Sequence, residues 1–271
     1  MENLRQLQLM ELDILKELLT LFEKNNIRYF ALGGTVLGAV RHRGFIPWDV
    51  DIDLGMPRED YDRLPEVFRQ LPEHLRFRSF DTDPAYPYYF ARVEDLRITV
   101  RSDRAENDEL APAWIDLFPL DGMPSNGFLR KLHGCHILAA RMLFQISRFS
   151  TIVDLKKKNR PLGENAMIWL IKTFRLQKLV GWKHAYRVLD RTLTSCPCAG
   201  SRFYLNGMGA YKLRETHDKK VFGDGRMYRF EDTEICGPQD FETYLTQLYG
   251  DWRTPRDFSH HEVVEITVNH D

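Results

Sequence analysis

Residues 49–54 read Asp49-Val50-Asp51-Ile52-Asp53-Leu54, a strict alternation of acid and apolar side chain. A β-strand turns successive side chains to opposite faces. The segment therefore predicts a strand with Asp49, Asp51 and Asp53 on one face and Val50, Ile52 and Leu54 buried on the other. Pro47 disfavours helix for Ile46 and launches the extended stretch. Three like charges on one face repel, and a divalent cation relieves the repulsion by becoming the largest local charge. Carboxylates at i and i+2 point the same way, roughly 6 to 7 Å apart along the strand. That suits Mg2+, which takes one or two protein carboxylates together with substrate phosphate oxygens. A solvated edge strand is the alternative, but its apolar residues would still need a buried opposite face.

Upstream, Tyr29–Leu32 reads as a short buried strand, Gly33-Gly34 as a turn, and Thr35 as the cap of a short helix through about Val40. Residues 41–48, RHRGFIPW, form a basic and aromatic loop. Leu7, Met10, Ile14, Leu18 and Leu21 recur at helical spacing, predicting an amphipathic helix over 4–24 that Asn25 and Asn26 end. Downstream strands are expected at Tyr88–Val93, Ile98–Arg101 and Trp114–Phe118. The fold class is α/β (α+β), a mixed sheet flanked by helices. Asp116, among Trp114, Ile115, Leu117 and Phe118, is costly there unless it ligates a cation or pairs with an arginine. As a third carboxylate from a neighbouring strand it would complete a two-metal site. Asp121, beside Gly122, reads as a turn residue. The pattern turns helical from about Phe128 to Leu193 and is broken by Pro197 and the glycines after it. A strand near Phe230–Ile235 and a helix from about Asp240 to Tyr249 precede a polar tail.

At 271 residues the chain can bury a sizeable core, and 43% hydrophobic with 28% charged residues is ordinary for a globular protein. The net charge of −1 hides an asymmetry: residues 127–193 hold 14 Lys/Arg against 3 Asp/Glu. No nucleic-acid recognition motif accompanies that charge, so no nucleic-acid partner is expected. Lys156-Lys157-Lys158 and the Met167–Ile171 run instead suit either a helical subdomain with a solvated basic face or peripheral contact with an anionic inner membrane surface. The N-terminus does not read as a signal peptide and no apolar run is long enough to span a bilayer, so a cytoplasmic protein is expected. Cys196 and Cys198 are spaced too closely for a zinc knuckle, and all four cysteines read as free thiols.

The run GGTVLGAVRHRGFIPWDVDIDLGMPREDY, residues 33–61, resembles the signature of the LicD family. Tyr89–Asp95 is similar to that family's second block and Trp114–Gly122 to its third. Phe230-Glu231, Tyr249–Trp252, Pro255 and His260-His261 are similar to its closing block. The resemblance implies a nucleotidyltransferase-like fold, with a catalytic core over 1–126, a basic helical segment over 127–199, and residues 200–271 packing back on the core. It implies transfer of phosphocholine, or a related phospho-alcohol, from CDP-choline or another CDP-alcohol. The acceptor would be a hydroxyl of a cell-surface glycan of the lipopolysaccharide or teichoic acid type, often lipid-linked.

Asp51, Asp53 and Asp116 would then hold Mg2+ or Mn2+, with Asp116 alternatively the general base. Gly33, Gly34 and Thr35 would bring backbone to phosphate, and Arg41, Arg43 and Arg92 would grip it. Trp48, Tyr88, Tyr89 and Trp114 are candidates for a cage around a quaternary ammonium. Asp49, Asp121, His260 and His261 are further candidates. The family usually has an acid where this chain has Val50, a position pointing away from the carboxylate face. Two other readings stay open: nucleotidyl transfer with release of pyrophosphate, and a degenerate binding protein.

Overall fold

The computed structural model describes residues 2–83, 85–102, 111–148, 180–255 and 263–268. The leucine stripe forms α1 (Glu2–Asn25), with Leu7, Ile14, Leu15, Leu18 and Phe22 buried, each such burial contributing about 1.5–3 kcal/mol. Asn26 ends it at φ 51°, the left-handed conformation expected of a terminal Asn. Next come β1 (Phe30–Ala31), α2 (Gly33–His42), β2 (Asp53–Pro57) and two single turns, α3 (Arg58–Tyr61) and α4 (Leu64–Val67). β3 (Leu75–Arg78), β4 (Ala91–Ser102) and β5 (Ala111–Met123) follow, then α5 (Gly127–Ser147) and α6 (Trp182–Thr194). The rest is β6 (Phe203–Asn206), β7 (Thr216–Asp218), α7 (Lys219–Phe222), β8 (Arg226–Phe230), β9 (Thr233–Gly237), α8 (Phe241–Tyr249) and β10 (Val263–Val268).

Among the described residues the main sheet has eight strands, with central order β1-β2-β5-β4-β10. β2 and β5 run parallel, while β1–β2, β5–β4 and β4–β10 are antiparallel. β3 and β10 share the far edge of β4, pairing with its Arg92–Asp95 and Ile98–Ser102 stretches respectively. β6 adds to the end of β5, and β7 to β6. The sheet is mixed, as the sequence predicts, and α1 lies against β4, β5 and β10.

Several expected elements differ in detail. The strands expected at Tyr88–Val93 and Ile98–Arg101 merge into β4, which begins only at Ala91, leaving Tyr88, Tyr89 and Phe90 before it, and has a register shift between Asp95 and Thr99. Phe230–Ile235 is not one strand but the turn of the β8–β9 hairpin, because Glu231 takes φ 56°. α2 starts at Gly33, so Thr35 lies inside it; its hydroxyl accepts the Asp53 N–H at 2.9 Å instead of capping. The helix also runs on through Arg41 and His42 before Arg43 ends it at φ 58°.

Asp121 is no turn residue. It is buried within β5 and holds Arg58 through two hydrogen bonds of 2.8 and 2.9 Å. Asn126 caps α5, accepting the N–H groups of Phe128 and Leu129. Tyr89, Met123 and Leu205 from the sheet side pack with Phe144 and Leu189 of α5 and α6. No helix of the described residues is long and apolar enough to cross a membrane. The Lys156–Lys158 and Met167–Ile171 stretches lie outside the described residues.

Candidate metal centre

The acid–apolar alternation survives in burial although regular pairing starts only at Asp53. Ile52 and Leu54 are fully buried while Asp51 and Asp53 remain partly accessible. Register then does the rest. Asp53 pairs with Asp116 across β2 and β5, and Asp116 pairs with Arg92 across β5 and β4. Directly opposed residues share a face, so Asp53, Asp116 and Arg92 form one row across three strands. Asp51, two residues before Asp53, joins it: one carboxylate oxygen from each of Asp51, Asp53 and Asp116 lies within 4.8 Å of the others. Three convergent hard oxygen donors fit Mg2+ or Mn2+.

Carboxylates packed this closely repel one another. Burial first, and then the charges on Asp51 and Asp116, hold the Asp53 carboxyl well above the usual carboxylate range. Burial also raises Asp116, opposed by the Arg92 guanidinium, which bonds it at 2.5 Å. Arg92 is itself walled by aromatic rings, with Tyr88 at 4.3 Å and Trp114 at 4.6 Å from its guanidinium carbon. Two of the aromatic residues expected to cage an ammonium therefore already hold this chain's own cation.

Asp49 stands slightly apart. Its carboxylate lies against Gly34, where a Cβ would come within 2.5 Å of Oδ2 and push it aside. Gly33 takes φ +49° and its N–H is occupied by the Tyr244 hydroxyl at 3.0 Å. Arg41 donates to the Trp252 carbonyl at 3.0 Å and to the His42 ring. The Arg43 side chain is exposed. Trp48 is half-buried, packed edge-on to His42.

Tyr89 is carried away from the row: its hydroxyl accepts from Arg58 and donates to Asp190, each at 2.9 Å, alongside the buried Arg58–Asp121 pair. His260 and His261 lie outside the described residues.

The C-terminal segment is bound to the glycine pair that opens α2, where the sequence predicts a turn, and to the loop after that helix. Tyr244 reaches Gly33, and the Trp252 carbonyl takes Arg41. Glu231 accepts from Phe45 N–H and from Arg5, while its own N–H bonds the Arg43 carbonyl at 2.8 Å. Three residues that pattern reading passes over also belong to this neighbourhood: Gln8 and Glu11 of α1, and Tyr244. A signal for the first two exists in the sequence, since each is a polar residue within the apolar stripe of an amphipathic helix.

Residues 26–130 match the nucleotidyltransferase domain of the LicD/FKTN/FKRP family. Over that stretch the chain is similar to the LicD family. The matched span includes the Gly-Gly pair, all three convergent aspartates and Arg92. Over 125 residues, 45% of its length, the chain is 37% identical to the lipopolysaccharide cholinephosphotransferase LicD of Haemophilus influenzae, of which 46% is covered. It is 33% identical over 110 residues to the ribitol 5-phosphate transferase FKRP of Mus musculus, and 50% identical over 110 residues to that of Homo sapiens. Those stretches cover 40% of this chain and 19% of each FKRP. The chain thus spans less than half the length of these relatives.

Proposed function

We propose that the protein transfers phosphocholine, or a related phospho-alcohol, from a CDP-activated donor to a hydroxyl of a cell-surface glycan. The observation that carries this is the convergence of Asp51, Asp53 and Asp116 within a segment that matches the LicD family. These three residues would hold Mg2+, which when bound supplies charge neutralisation for the diphosphate of the donor. The acceptor oxygen forms a bond to the phosphorus carrying the alcohol, the bond from that phosphorus to the bridging oxygen breaks, and CMP leaves with the electron pair. Phosphoryl transfer of this kind depends mostly on positioning and on charge placed in advance.

The chain's own residues then have distinct tasks. Asp53 at the start of β2 and Asp51 just before it fix the cation from one side, and Asp116 from the neighbouring strand β5. Arg92 offsets the surplus negative charge of Asp116, and each carboxylate oxygen keeps a further lone pair for a cation or a proton. Gly34 admits Asp49 at the start of α2, and the Tyr244 contact fixes Gly33. We assign residues 1–126 to the catalytic core, 127–199 to a basic helical segment and 200–271 to a part that closes on the core. A lipid-linked acceptor would bring the protein to the inner membrane surface. Exposed Phe128, Leu129 and Leu132 beside Lys131 at the start of α5 support such a contact.

The test is incubation of the purified chain with Mg2+ and, in separate reactions, CDP-choline, CDP-ribitol, CDP-glycerol and ATP, with products resolved by 31P NMR. The expected result is CMP release from one CDP-alcohol, abolished by chelation. Pyrophosphate release from ATP, with no CMP from any CDP-alcohol, would overturn the proposal in favour of nucleotidyl transfer.

A further inference from the structure

Among the described residues, one buried carboxylate stands apart from all the others. Asp60, Glu94, Asp95, Asp116 and Asp121 each face an arginine, and Glu215 accepts the N–H of Tyr211. Glu11 has no such partner. It is 0% exposed and neither of its carboxylate oxygens has a hydrogen bond. An acid placed so costs several kcal/mol unless something neutralises it, on the order of the penalty for a buried unpaired charge.

Its surroundings say what that something is. Gln8, three residues earlier on the same face of α1, donates to the Ile46 carbonyl at 3.2 Å and the Asp49 carbonyl at 3.0 Å. Gln8 thus ties α1 to the segment that leads into Asp51 and Asp53, nearly one turn before Glu11 on the same helix face. Burial first, and then the charges on Asp51, Asp49, Asp116 and Asp53 in that order, lift its carboxyl well above the ordinary range. The charges that press hardest on Glu11 are thus those of the candidate cation site and its neighbour Asp49.

We propose that Glu11 is an outer carboxylate of the cation site, a positioning residue that strengthens cation binding without belonging to the set that touches the ion. This rests on the reading of Asp51, Asp53 and Asp116 as cation ligands. Glu11 falls outside the residues matched to the LicD family domain, and is supplied by a helix that precedes them. Bound Mg2+ or Mn2+ gives the buried charge of Glu11 the compensation that no side chain provides. Outer-shell partners of this kind change metal affinity by about 10–100-fold.

The experiment is calorimetric titration of the metal-stripped full chain with MnCl2, comparing wild type, Glu11→Gln, Glu11→Met and Asp53→Ala, with thermal melts of each in chelator. Glu11→Met removes the polar group at similar length, and serves if the buried amide of Glu11→Gln prevents folding. Wild type is expected to bind Mn2+, and both Glu11 variants to bind it about 10–100-fold more weakly while melting no lower than wild type in chelator. Wild-type Mn2+ affinity in the folded Glu11 variants overturns the proposal and leaves the site reading intact. Absence of Mn2+ binding by wild type overturns the site reading itself.

Discussion

Asp53→Ala is expected to cut transfer from the preferred CDP-alcohol by at least about a thousandfold, with the fold intact by circular dichroism. Asp53 is the residue on which the row converges: it opposes Asp116 in register, follows Asp51 by two, and receives its backbone support from the Thr35 hydroxyl. Its loss leaves two carboxylates where three converge. The same variant should have the opposite effect on stability without metal. The raised carboxyl of Asp53 means that the folded chain binds more protons than the unfolded one. In chelator, its contribution to stability therefore declines as pH rises from the ordinary carboxylate range through the raised value, and the penalty is fully present above it. Alanine removes that penalty, so chelated Asp53→Ala should melt at or above wild type at pH 8. Mg2+ at a hundred times its dissociation constant should stabilise wild type by about 2.7 kcal/mol and the variant not at all. Turnover by Asp53→Ala within tenfold of wild type would show that the reaction does not depend on the row.

Arg92→Met should be the most destabilising single change at the site. The guanidinium is the basic partner of buried Asp116 and fills the space between Tyr88 and Trp114. Removing one member of a buried pair strands the other, at about 3–5 kcal/mol. The expected result is a lower unfolding midpoint in chelator, much of it regained on adding Mg2+, because the cation takes over the neutralisation of Asp116. Arg58→Met, which strands Asp121 on the same strand, is the control. Its loss should be of similar size and unaffected by Mg2+, since the Arg58–Asp121 pair lies apart from the three aspartates. Equal recovery of both variants with Mg2+, or of neither, would contradict the assignment of Asp116 to the cation.

The parts of this molecule governed by short-range pattern were readable from its sequence. α1 follows from leucines at helical spacing, and Asn26 ends it as an Asn in the left-handed region. The acid–apolar alternation put Asp51 and Asp53 on the side opposite Ile52 and Leu54, even though β-pairing begins only at Asp53. What pattern could not supply was pairing at a distance. Nothing near Asp121 in the chain announces Arg58, so an acid beside glycine read as a turn when it is the middle of an ion pair. Arg92 looked like a phosphate ligand and the aromatics like a cage; cross-strand register instead joins Arg92 to Asp116 and sets Tyr88 and Trp114 around it. Thr35 looked like a cap because local rules favour it there, but a backbone N–H from β2 claims its hydroxyl.

The proposed chemistry needs a divalent cation held by Asp51, Asp53 and Asp116, and crystals soaked in MnCl2 test this most directly. An anomalous difference peak is expected between these three carboxylates, present in wild type and missing from Asp53→Ala. Manganese bound elsewhere on the chain with that position empty, or an unchanged peak in the Asp53→Ala crystal, would contradict it.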